Sequence, residues 1–392
     1  PAEVELPRTI ESMLAVVEEV SPTRVVLDSM AELRAMAQNE LWYRRQLMTL
    51  KNHFADRDCS VLIIEIPADH ETLNSVASGV LEMQQVAPLY GPDRRKLRVS
   101  KVRGRDFTTG HHDYKIRTGG IDVFPRLVAA EHRRRFKREV VATGLEELDT
   151  MLDGGLVRGT STLLIGTSGT GKSLVATQLA VAAAERGERS AMYVFDERVQ
   201  TLLQRAEGVG LPLEQHIDEG TIEVRQVDPA ELTPGEFSDL LKTSVEKEGI
   251  RLVIIDSLNG YAYAMPEERS LCVHLHELSS YLNQQAVTSV YVMTQHGMLS
   301  EGSVSPFHVS YISDTVVLFR HFEFGGEIHK ALAVYKSRAS AHESFIRELK
   351  ISSEGLVLGP PLTEFRGVLA GTPIFLGETL HGDPGDTGAG RG

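Results

Sequence analysis

The chain has 392 residues, of which 42% are hydrophobic and 24% charged, and its formal net charge at pH 7 is −13. This length fits two or three domains, and the excess of acidic residues argues against bulk binding to nucleic acid. Only Cys59 and Cys272 occur, neither in a CxxC pair, which argues against a disulfide framework or a structural zinc site. No apolar run is as long as a membrane span, so we expect a cytoplasmic protein without membrane contact.

The first predicted element is an apolar strand that ends in Asp28-Ser29, and the same pattern returns in a strand that ends in Asp256-Ser257. The offset between the two is about 230 residues, and similarity at a fixed offset indicates an internal repeat. Three more features follow each strand in the same order. A second apolar strand is at 61–65 and again at 290–294, a Lys-x-Arg motif at 101–103 and 336–338, and a late apolar segment at 121–125 and 356–360.

The repeat predicts how the domains are organised. Counted back from Lys172, the lysine of the phosphate-binding loop described next, the matching lysine of the first copy would precede Pro1. We therefore expect residues 1–128 to be the C-terminal part of a first domain that lacks this loop. The remaining predicted segments are a basic linker at 129–139, a complete domain at 140–376 and a Gly/Asp/Pro-rich, disordered tail at 377–392.

The most specific motif is Gly166-Thr-Ser-Gly-Thr-Gly-Lys172-Ser173, which fits the phosphate-binding P-loop pattern GxxxxGK[ST]. An apolar stretch precedes it and an Ala/Leu-rich stretch follows, which predicts a strand, a glycine loop and a helix. Backbone N–H groups of such a loop and the helix N-terminus bind phosphate oxygens, Lys172 reaches the β- and γ-phosphates, and the Ser173 hydroxyl holds Mg²⁺. The alternative to a phosphate-binding loop is a glycine-rich turn that matches the pattern by chance. The predicted nucleotide contacts are Gly166, Thr167, Ser168, Gly169, Thr170, Gly171, Lys172 and Ser173.

Strands and helices alternate through the rest of this domain, which predicts an α/β fold with a mostly parallel sheet and helices on both faces. Asp256 ends one of these strands, in the position of the acid that orients Mg²⁺ in P-loop proteins. The predicted strands are 190–195, 222–226, 252–256, 288–294, 315–320, 331–336 and 345–351, and the predicted helices are 197–206, 235–247 and 267–285.

Together these features resemble the KaiC-type branch of the RecA-like ATPases, whose members have tandem ATPase domains and form double-ring hexamers. The resemblance covers nearly the whole chain. It implies tandem RecA-like P-loop domains, the first incomplete, that bind ATP and Mg²⁺ in a homo-oligomeric, hexameric ring with regulatory protein partners. The residues that carry it are Gly144-Leu-Glu-Glu-Leu-Asp149, Gly154-Gly155, the loop 166–173, Phe195-Asp196-Glu197, Asp256-Ser257 and Lys336-Ser337-Arg338.

Two adjacent acids, Asp196 and Glu197, follow the strand beside the loop, where a carboxylate can orient the attacking water or hydroxyl. The resemblance gives the role of general base to the position of Asp196, where the ATPase–kinase members usually have Glu. Because Asp reaches less far, Glu197 could carry more of this role. Either acid could instead cap the helix that follows.

Lys336 and Arg338 are two residues apart, a spacing that places both side chains on one face of a strand. By resemblance they form the basic pair that reaches the γ-phosphate bound to the neighbouring subunit, which would make hydrolysis depend on assembly. The alternative is a charged strand end at the surface. Gln295 and His296, which follow the strand 288–294, stand where RecA-like proteins can sense the γ-phosphate.

Some members of the family transfer phosphate to their own Ser and Thr, and Ser310 falls on the first acceptor position while Tyr311 occupies the second. The resemblance thus implies an ATP-hydrolysing ring ATPase with Ser310 as a candidate phosphoacceptor, working as a signalling or timing switch. The alternatives are a RecA-like DNA-binding ATPase or recombination mediator and a regulatory scaffold without turnover. Residues 297–309, in the place of a DNA-binding loop, include no Lys or Arg, so we expect no nucleic-acid partner.

Overall fold

The computed structural model describes residues 2–37, 39–65, 71–88, 91–228, 230–263, 271–295, 312–370 and 372–376. Ser310, His296, the segment 297–309 and the tail 377–392 therefore lie outside the described residues. The chain divides into two compact units, which we call the first unit (residues 1–84 and 96–111) and the second unit (residues 85–95 and 112–392). Among the described helices, none is long and apolar enough to cross a membrane.

The first unit has a small core built by helices on one side of a two-stranded parallel sheet. Leu6 and Ile10 of the first helix and Leu47 and Leu50 of the third are buried together. The third helix begins after Asn39, whose side chain accepts a hydrogen bond from the backbone N–H of Trp42. The elements up to residue 102 are α1 (Ala2–Val20), β1 (Arg24–Asp28), α2 (Met30–Ala35), α3 (Glu40–Ala55), β2 (Ser60–Ile64), α4 (Glu71–Val76), β3 (Gly79–Val86) and β4 (Arg94–Val102).

The second unit contains the P-loop and the remaining elements. Up to the P-loop helix these are β5 (His111–Arg117), β6 (Gly120–Phe124), a 3-10 turn (Ala129–His132), β7 (Val140–Val141), α5 (Glu146–Met151), β8 (Leu156–Val157), β9 (Ser161–Gly166) and α6 (Lys172–Glu185). The elements that follow are β10 (Ser190–Val194), α7 (Val199–Glu207), α8 (Leu213–Asp218), β11 (Ile222–Gln226), α9 (Pro234–Glu246), β12 (Leu252–Asp256), α10 (Leu258–Tyr263), α11 (Leu271–Gln284) and β13 (Thr288–Thr294). The chain then forms β14 (Thr315–Phe324), β15 (Glu327–Ser337), β16 (Ile346–Ser352), β17 (Gly355–Pro361), β18 (Phe365–Arg366) and β19 (Ile374–Phe375).

Nine of these strands form one sheet in the order β11-β10-β12-β13-β9-β14-β15-β16-β17. The pairs from β11 to β14 are all parallel, and those from β14 to β17 are antiparallel. Parallel strands are buried on both faces, and here β10 and β12 are buried at every position. The predicted α/β class with a mostly parallel sheet is therefore confirmed.

Two hydrophobic clusters cover the two faces of this sheet. One contains α6 with α5, α7 and α8, and the other contains α9, α10 and α11. Each fully buried Leu or Ile in these clusters contributes about 2 kcal/mol through loss of apolar surface to water. The helices on both faces predicted from strand–helix alternation are thus present.

The predicted element ends differ from the observed ones at several places. The helix after β10 begins at Val199 rather than at residue 197, because Asp196 and Glu197 belong to the turn that follows the strand. The strands β14 and β15 are longer than predicted, since they form one antiparallel hairpin that continues to a turn at Gly325 and Gly326. Both of these glycines have positive φ.

The segment 129–139, predicted as a linker, is bound to α11 over its first half. The backbone N–H of Ala129 donates to Glu277 at 3.1 Å, and that of Arg134 donates to the carbonyl oxygen of Gln284 at 3.2 Å. These two contacts hold residues 129–134, including the start of the basic run, against α11.

Candidate nucleotide-binding site

The P-loop connects the carboxyl end of β9 to the N-terminus of α6. Its backbone follows a path that only glycine permits at two points: a Cβ at Gly166 would collide with the carbonyl oxygen of Phe319, and Gly171 has a φ of +97°. The hydroxyl of Thr170 donates to the carbonyl oxygen of Thr167 at 2.8 Å, which closes the loop on itself. The loop leads directly into the N-terminus of α6, and backbone N–H groups at such a helix start bind phosphate oxygens in P-loop proteins.

Lys172 begins α6 and is only 5% exposed. Its Nζ atom donates to the carbonyl oxygen of Thr167 at 2.7 Å, so the side chain folds back over the loop. Burial lowers the pKa of this lysine to about 8, and the nearby carboxylate of Asp256 opposes the shift. An anionic phosphate beside Nζ would favour the charged ammonium, so a bound phosphate would stabilise the buried lysine.

Asp256 ends β12 and is buried next to Ser173 on the first turn of α6. Burial raises the pKa of Asp256 to about 6, while the side-chain hydrogen bond to Ser173 and the charge of Arg205 lower it. The carboxylates of Glu197 and Asp196 raise it further. A carboxylate beside a hydroxyl matches the oxygen ligands that Mg²⁺ prefers. Both predicted metal ligands are thus brought together, and the donor set fits the ion.

The two predicted catalytic acids have different partners. Asp196 is exposed and accepts a hydrogen bond from the hydroxyl of Ser257, which itself accepts from the backbone N–H of Gly260 at 3.2 Å. Glu197 is held by both terminal nitrogens of Arg205, at 3.0 and 2.7 Å. A bidentate Arg–carboxylate pair fixes geometry and neutralises the acid. Of the two acids, Asp196 is therefore the one that forms no ion pair within the described part of the chain.

The alternative that one acid caps the following helix is not what the structure shows. The residue before the first turn of α7 is Arg198, and it makes no side-chain capping hydrogen bond. Asp196 and Glu197 precede this residue and bond to Ser257 and Arg205 instead. Their contacts therefore connect the end of β10 to the start of α10 and to the far end of α7.

Lys336 and Arg338 lie at the end of β15, on the other side of the P-loop strand from β10. Lys336 Nζ donates to the carbonyl oxygen of Ser313 at 2.8 Å, and the backbone N–H of Arg338 donates to the carbonyl oxygen of Asp314 at 2.9 Å. Burial and the adjacent Arg338 charge lower the pKa of Lys336. β15 ends at Ser337, so Arg338 lies one residue beyond the strand, and the prediction that both side chains lie on one face of a strand does not hold.

Gln295 follows β13 directly and is tied to the P-loop. Its backbone N–H donates to the carbonyl oxygen of Gly166 at 2.9 Å. Within the described residues its side-chain Oε1 atom is buried with no hydrogen-bond partner. A buried amide oxygen needs a donor, which is consistent with the predicted sensor position next to bound phosphate.

No sequence motif predicts His321, which contacts the P-loop from β14. Its Nδ1 atom lies 3.4 Å from the Thr167 hydroxyl, and its ring hydrogen-bonds to the backbone of Gly169. Burial is the largest cause that lowers the pKa of His321, and the charges of Lys330 and Lys172 add to it. Pairing of β14 with β9 places Phe319 opposite Gly166, the first residue of the P-loop. His321 is two residues further along β14 and therefore lies beside the loop. Only the strand order, which the sequence alone does not reveal, identifies this histidine.

We expect His321→Ala to weaken the affinity for ADP by about fivefold, because the loop loses two contacts that hold it in its binding conformation. The affinity is measured by calorimetry on the purified chain. His321→Gln, which keeps an acceptor and a donor, should recover part of the loss, and the exposed His111→Gln serves as the control. Unchanged affinity in His321→Ala would show that the imidazole does not organise the loop.

Comparison with known proteins adds independent findings. The family model described as "ATPase: KaiC" matches residues 2–128 and 141–363. The chain is 29% identical over 287 residues to the circadian clock protein KaiC3 of Synechocystis sp., which covers 73% of this chain and 56% of that protein. It is 27% identical over 280 residues to the circadian clock oscillator protein KaiC of Acaryochloris marina, covering 71% of this chain and 53% of the relative. The corresponding protein of Synechococcus elongatus is 26% identical over 280 residues, at 71% and 54%. The chain spans about half the length of these curated relatives.

Proposed function

Because the chain belongs to the KaiC family of ATPases, we propose that residues 140–376 form an ATPase domain that binds Mg²⁺–ATP at Gly166–Ser173 and hydrolyses it. The observation that carries this proposal is the convergence of Lys172, Ser173 and Asp256 at one point, the carboxyl edge of the parallel sheet. When bound, Mg²⁺ neutralises charge on the β- and γ-phosphates. Ser173 and Asp256 would hold the ion, and Lys172 would contact the phosphates.

Asp196 is the better supported general base. Its carboxylate accepts one hydrogen bond from Ser257 and is exposed, so it can also accept a proton from an attacking water. Glu197 is neutralised by Arg205, and its proposed role is to fix the turn that carries Asp196. The shorter reach of Asp is then offset by the Ser257 contact, which orients the carboxylate.

We expect Asp196→Asn to lower kcat for ATP hydrolysis by about 10²- to 10⁴-fold with a small change in KM, because proton transfer is lost and binding is not. Glu197→Gln should cost much less. The measurement is steady-state phosphate release at saturating Mg²⁺–ATP.

Arg205→Gln is the control, because it breaks the same ion pair from the other side. Combining it with Glu197→Gln should add little to either single change, since both remove one interaction. A larger loss in Glu197→Gln than in Asp196→Asn would reverse the two roles.

The proposed assembly is a homo-oligomeric, hexameric ring in which Lys336 and Arg338 complete the site of the neighbouring subunit. The resemblance to ring-forming KaiC-type ATPases supports it, as does the position of Lys336 near the end of β15 and of Arg338 just beyond that end. A cation supplied by a neighbour stabilises charge that develops on the γ-phosphate. Hydrolysis would then depend on assembly of the ring, as a regulatory switch requires. Regulatory protein partners would act by changing this assembly.

We propose the domain organisation predicted from the repeat, with residues 1–128 derived from a first KaiC-type domain. Two observations support it. The family model matches two ranges, 2–128 and 141–363. In addition, β1 and β2 pair in the same parallel register as β12 and β13: Arg24 lies opposite Ser60 and Leu252 opposite Thr288, while the terminal acids Asp28 and Asp256 lie opposite Ile64 and Val292.

We further propose that the site transfers phosphate to Ser310 and that the cycle serves as a signalling or timing switch. The sequence match of Ser310 to an acceptor position of the family supports the first part, and the clock-protein names of the relatives support the second. With Tyr311 at the second acceptor position, we expect one phosphorylated site rather than two.

A further inference from the structure

A cleft of about 720 Å³ lies in the second unit at the edge of the sheet opposite the P-loop. The P-loop stands at the carboxyl ends of the parallel strands, whereas this cleft stands at their amino ends, beside Arg189 before β10 and Arg251 before β12. The volume is in the range of small-molecule sites, about 300–1,000 Å³. In a chain of net charge −13, the cleft is basic: its cations are Lys137, Arg138, Arg158, Arg189 and Arg251, against the carboxylates of Glu139 and Glu188.

Two of these cations are neighbours because of the sheet register. Ser190 pairs with Leu252, so Arg189 and Arg251 stand side by side, and the backbone N–H of Arg251 donates to the carbonyl oxygen of Arg189 at 2.8 Å. Within the described part of the chain neither forms an ion pair with a carboxylate, and the Arg189 guanidinium donates to the carbonyl oxygens of Gly220 and Glu248 instead. Like charges on adjacent strands are unfavourable without a counter-charge, so this edge favours an anion.

A third cation already binds two oxyanions. Arg158 forms ion pairs with Glu188 and with Glu139, and its side chain is only 11% exposed. The Glu139 side chain is 59% exposed. An ion pair with an exposed carboxylate contributes little free energy, so an incoming phosphate can replace Glu139 as a partner of the Arg158 guanidinium.

The cleft also has an aromatic wall. Phe136 lies against Gly159, at which an added Cβ would come within 2.7 Å of the ring, and Phe136 itself is 45% exposed. An exposed ring beside arginines is the arrangement on which nucleobases stack while phosphates bind the guanidinium groups.

We propose that this cleft binds an oligophosphate, and that the ligand is a nucleotide whose base stacks on Phe136 while its phosphates bind Arg189, Arg251 and Arg158. The site is separate from the P-loop, does not rest on the proposed ATPase activity, and needs no metal ion. Free polyphosphate shares the same phosphate chemistry, and Phe136 distinguishes the two sources because only a nucleotide uses the ring.

The test uses the full chain with Lys172→Ala, which we expect to remove nucleotide binding at the P-loop. Inorganic tripolyphosphate and ADP without Mg²⁺ are titrated separately by calorimetry at low salt. We expect saturable binding of both, weaker at higher salt because phosphate contacts are electrostatic. Arg251→Gln, an exposed side chain, should weaken both probes by about tenfold, while Glu139→Gln should tighten both. Arg366→Gln, a cation outside the cleft lining, should change neither.

Phe136→Ala should weaken ADP by about tenfold and leave tripolyphosphate unchanged; equal effects on both probes would refute the nucleotide and leave polyphosphate. Absence of saturable binding of tripolyphosphate at about 1 mM, or equal affinities in Arg251→Gln and Arg366→Gln, would overturn the site. Thermal unfolding of each variant identifies loss of fold. Normal ATP hydrolysis by Lys172→Ala would instead refute the P-loop proposal, so the two failures are distinguishable.

Discussion

A chain that carries Lys172→Ala should neither bind Mg²⁺–ATP measurably nor hydrolyse it. The ammonium is buried over the loop, with its Nζ atom 2.7 Å from the Thr167 carbonyl oxygen, and is the one cation of the P-loop motif. Without it, the charge of the β- and γ-phosphates has no cationic partner within the loop, and turnover should fall by about 10³-fold or more. Because we propose that nucleotide lies between subunits, ring assembly should be lost as well.

The measurement is phosphate release together with equilibrium binding of ATP, and the sedimentation of the chain with and without nucleotide reports assembly. Lys350→Ala is the matched control, since this lysine is 67% exposed. Alanine at position 172 also removes a buried charge whose pKa is lowered by burial, so the variant should fold at least as well as the parent. A Lys172→Ala chain that hydrolyses ATP at the parent rate would refute the site.

The second large effect is expected for Arg338. Arg338→Ala should lower kcat by about 10³-fold while the chain still binds ATP, because a trans cation acts on the transition state rather than on the ground state. Mixing such subunits with Asp196→Asn/Glu197→Gln subunits, which retain Arg338, should restore activity. In an equal random mixture, about a quarter of the interfaces combine a site with an intact Asp196 and a neighbouring subunit with an intact Arg338.

The expected recovery is therefore partial and depends on the mixing ratio, and phosphate release across a ratio series measures it. Arg366→Ala, a surface cation on β18, is the control and should retain the parent activity. Absence of recovery at every ratio would show that Arg338 acts within its own subunit or does not act at all.

The fold of the second unit was largely predictable because its signals are local. Apolar runs bounded by turns mark β10, β12 and β13, and the glycine pattern of 166–173 fixes the turn between β9 and α6. The ends of elements were less predictable. The β14–β15 hairpin is longer than its apolar stretch because the pairing continues over polar positions such as His321 and Lys330, which lie opposite each other.

The candidate site was predictable where a motif has fixed spacing and unpredictable where strand order decides. The Ser173–Asp256 contact follows from the motif and from the carboxyl end of β12. His321 reaches the P-loop because β14 adds beside β9, and Arg205 reaches Glu197 across two turns of α7. Neither residue belongs to a motif, and the pairing of Glu197 with Arg205 is what distinguishes the two adjacent acids.

ATP hydrolysis at this P-loop is tested by incubating the chain with γ-³²P-ATP and Mg²⁺ and following free phosphate and label on the protein together. We expect continuing release of phosphate, more than one per chain, that is absent from Lys172→Ala, together with label that maps to Ser310. Free phosphate without label would refute the autokinase and leave a ring ATPase. No phosphate above the level of Lys172→Ala, at any protein concentration that permits assembly, would contradict the claim that this P-loop hydrolyses ATP.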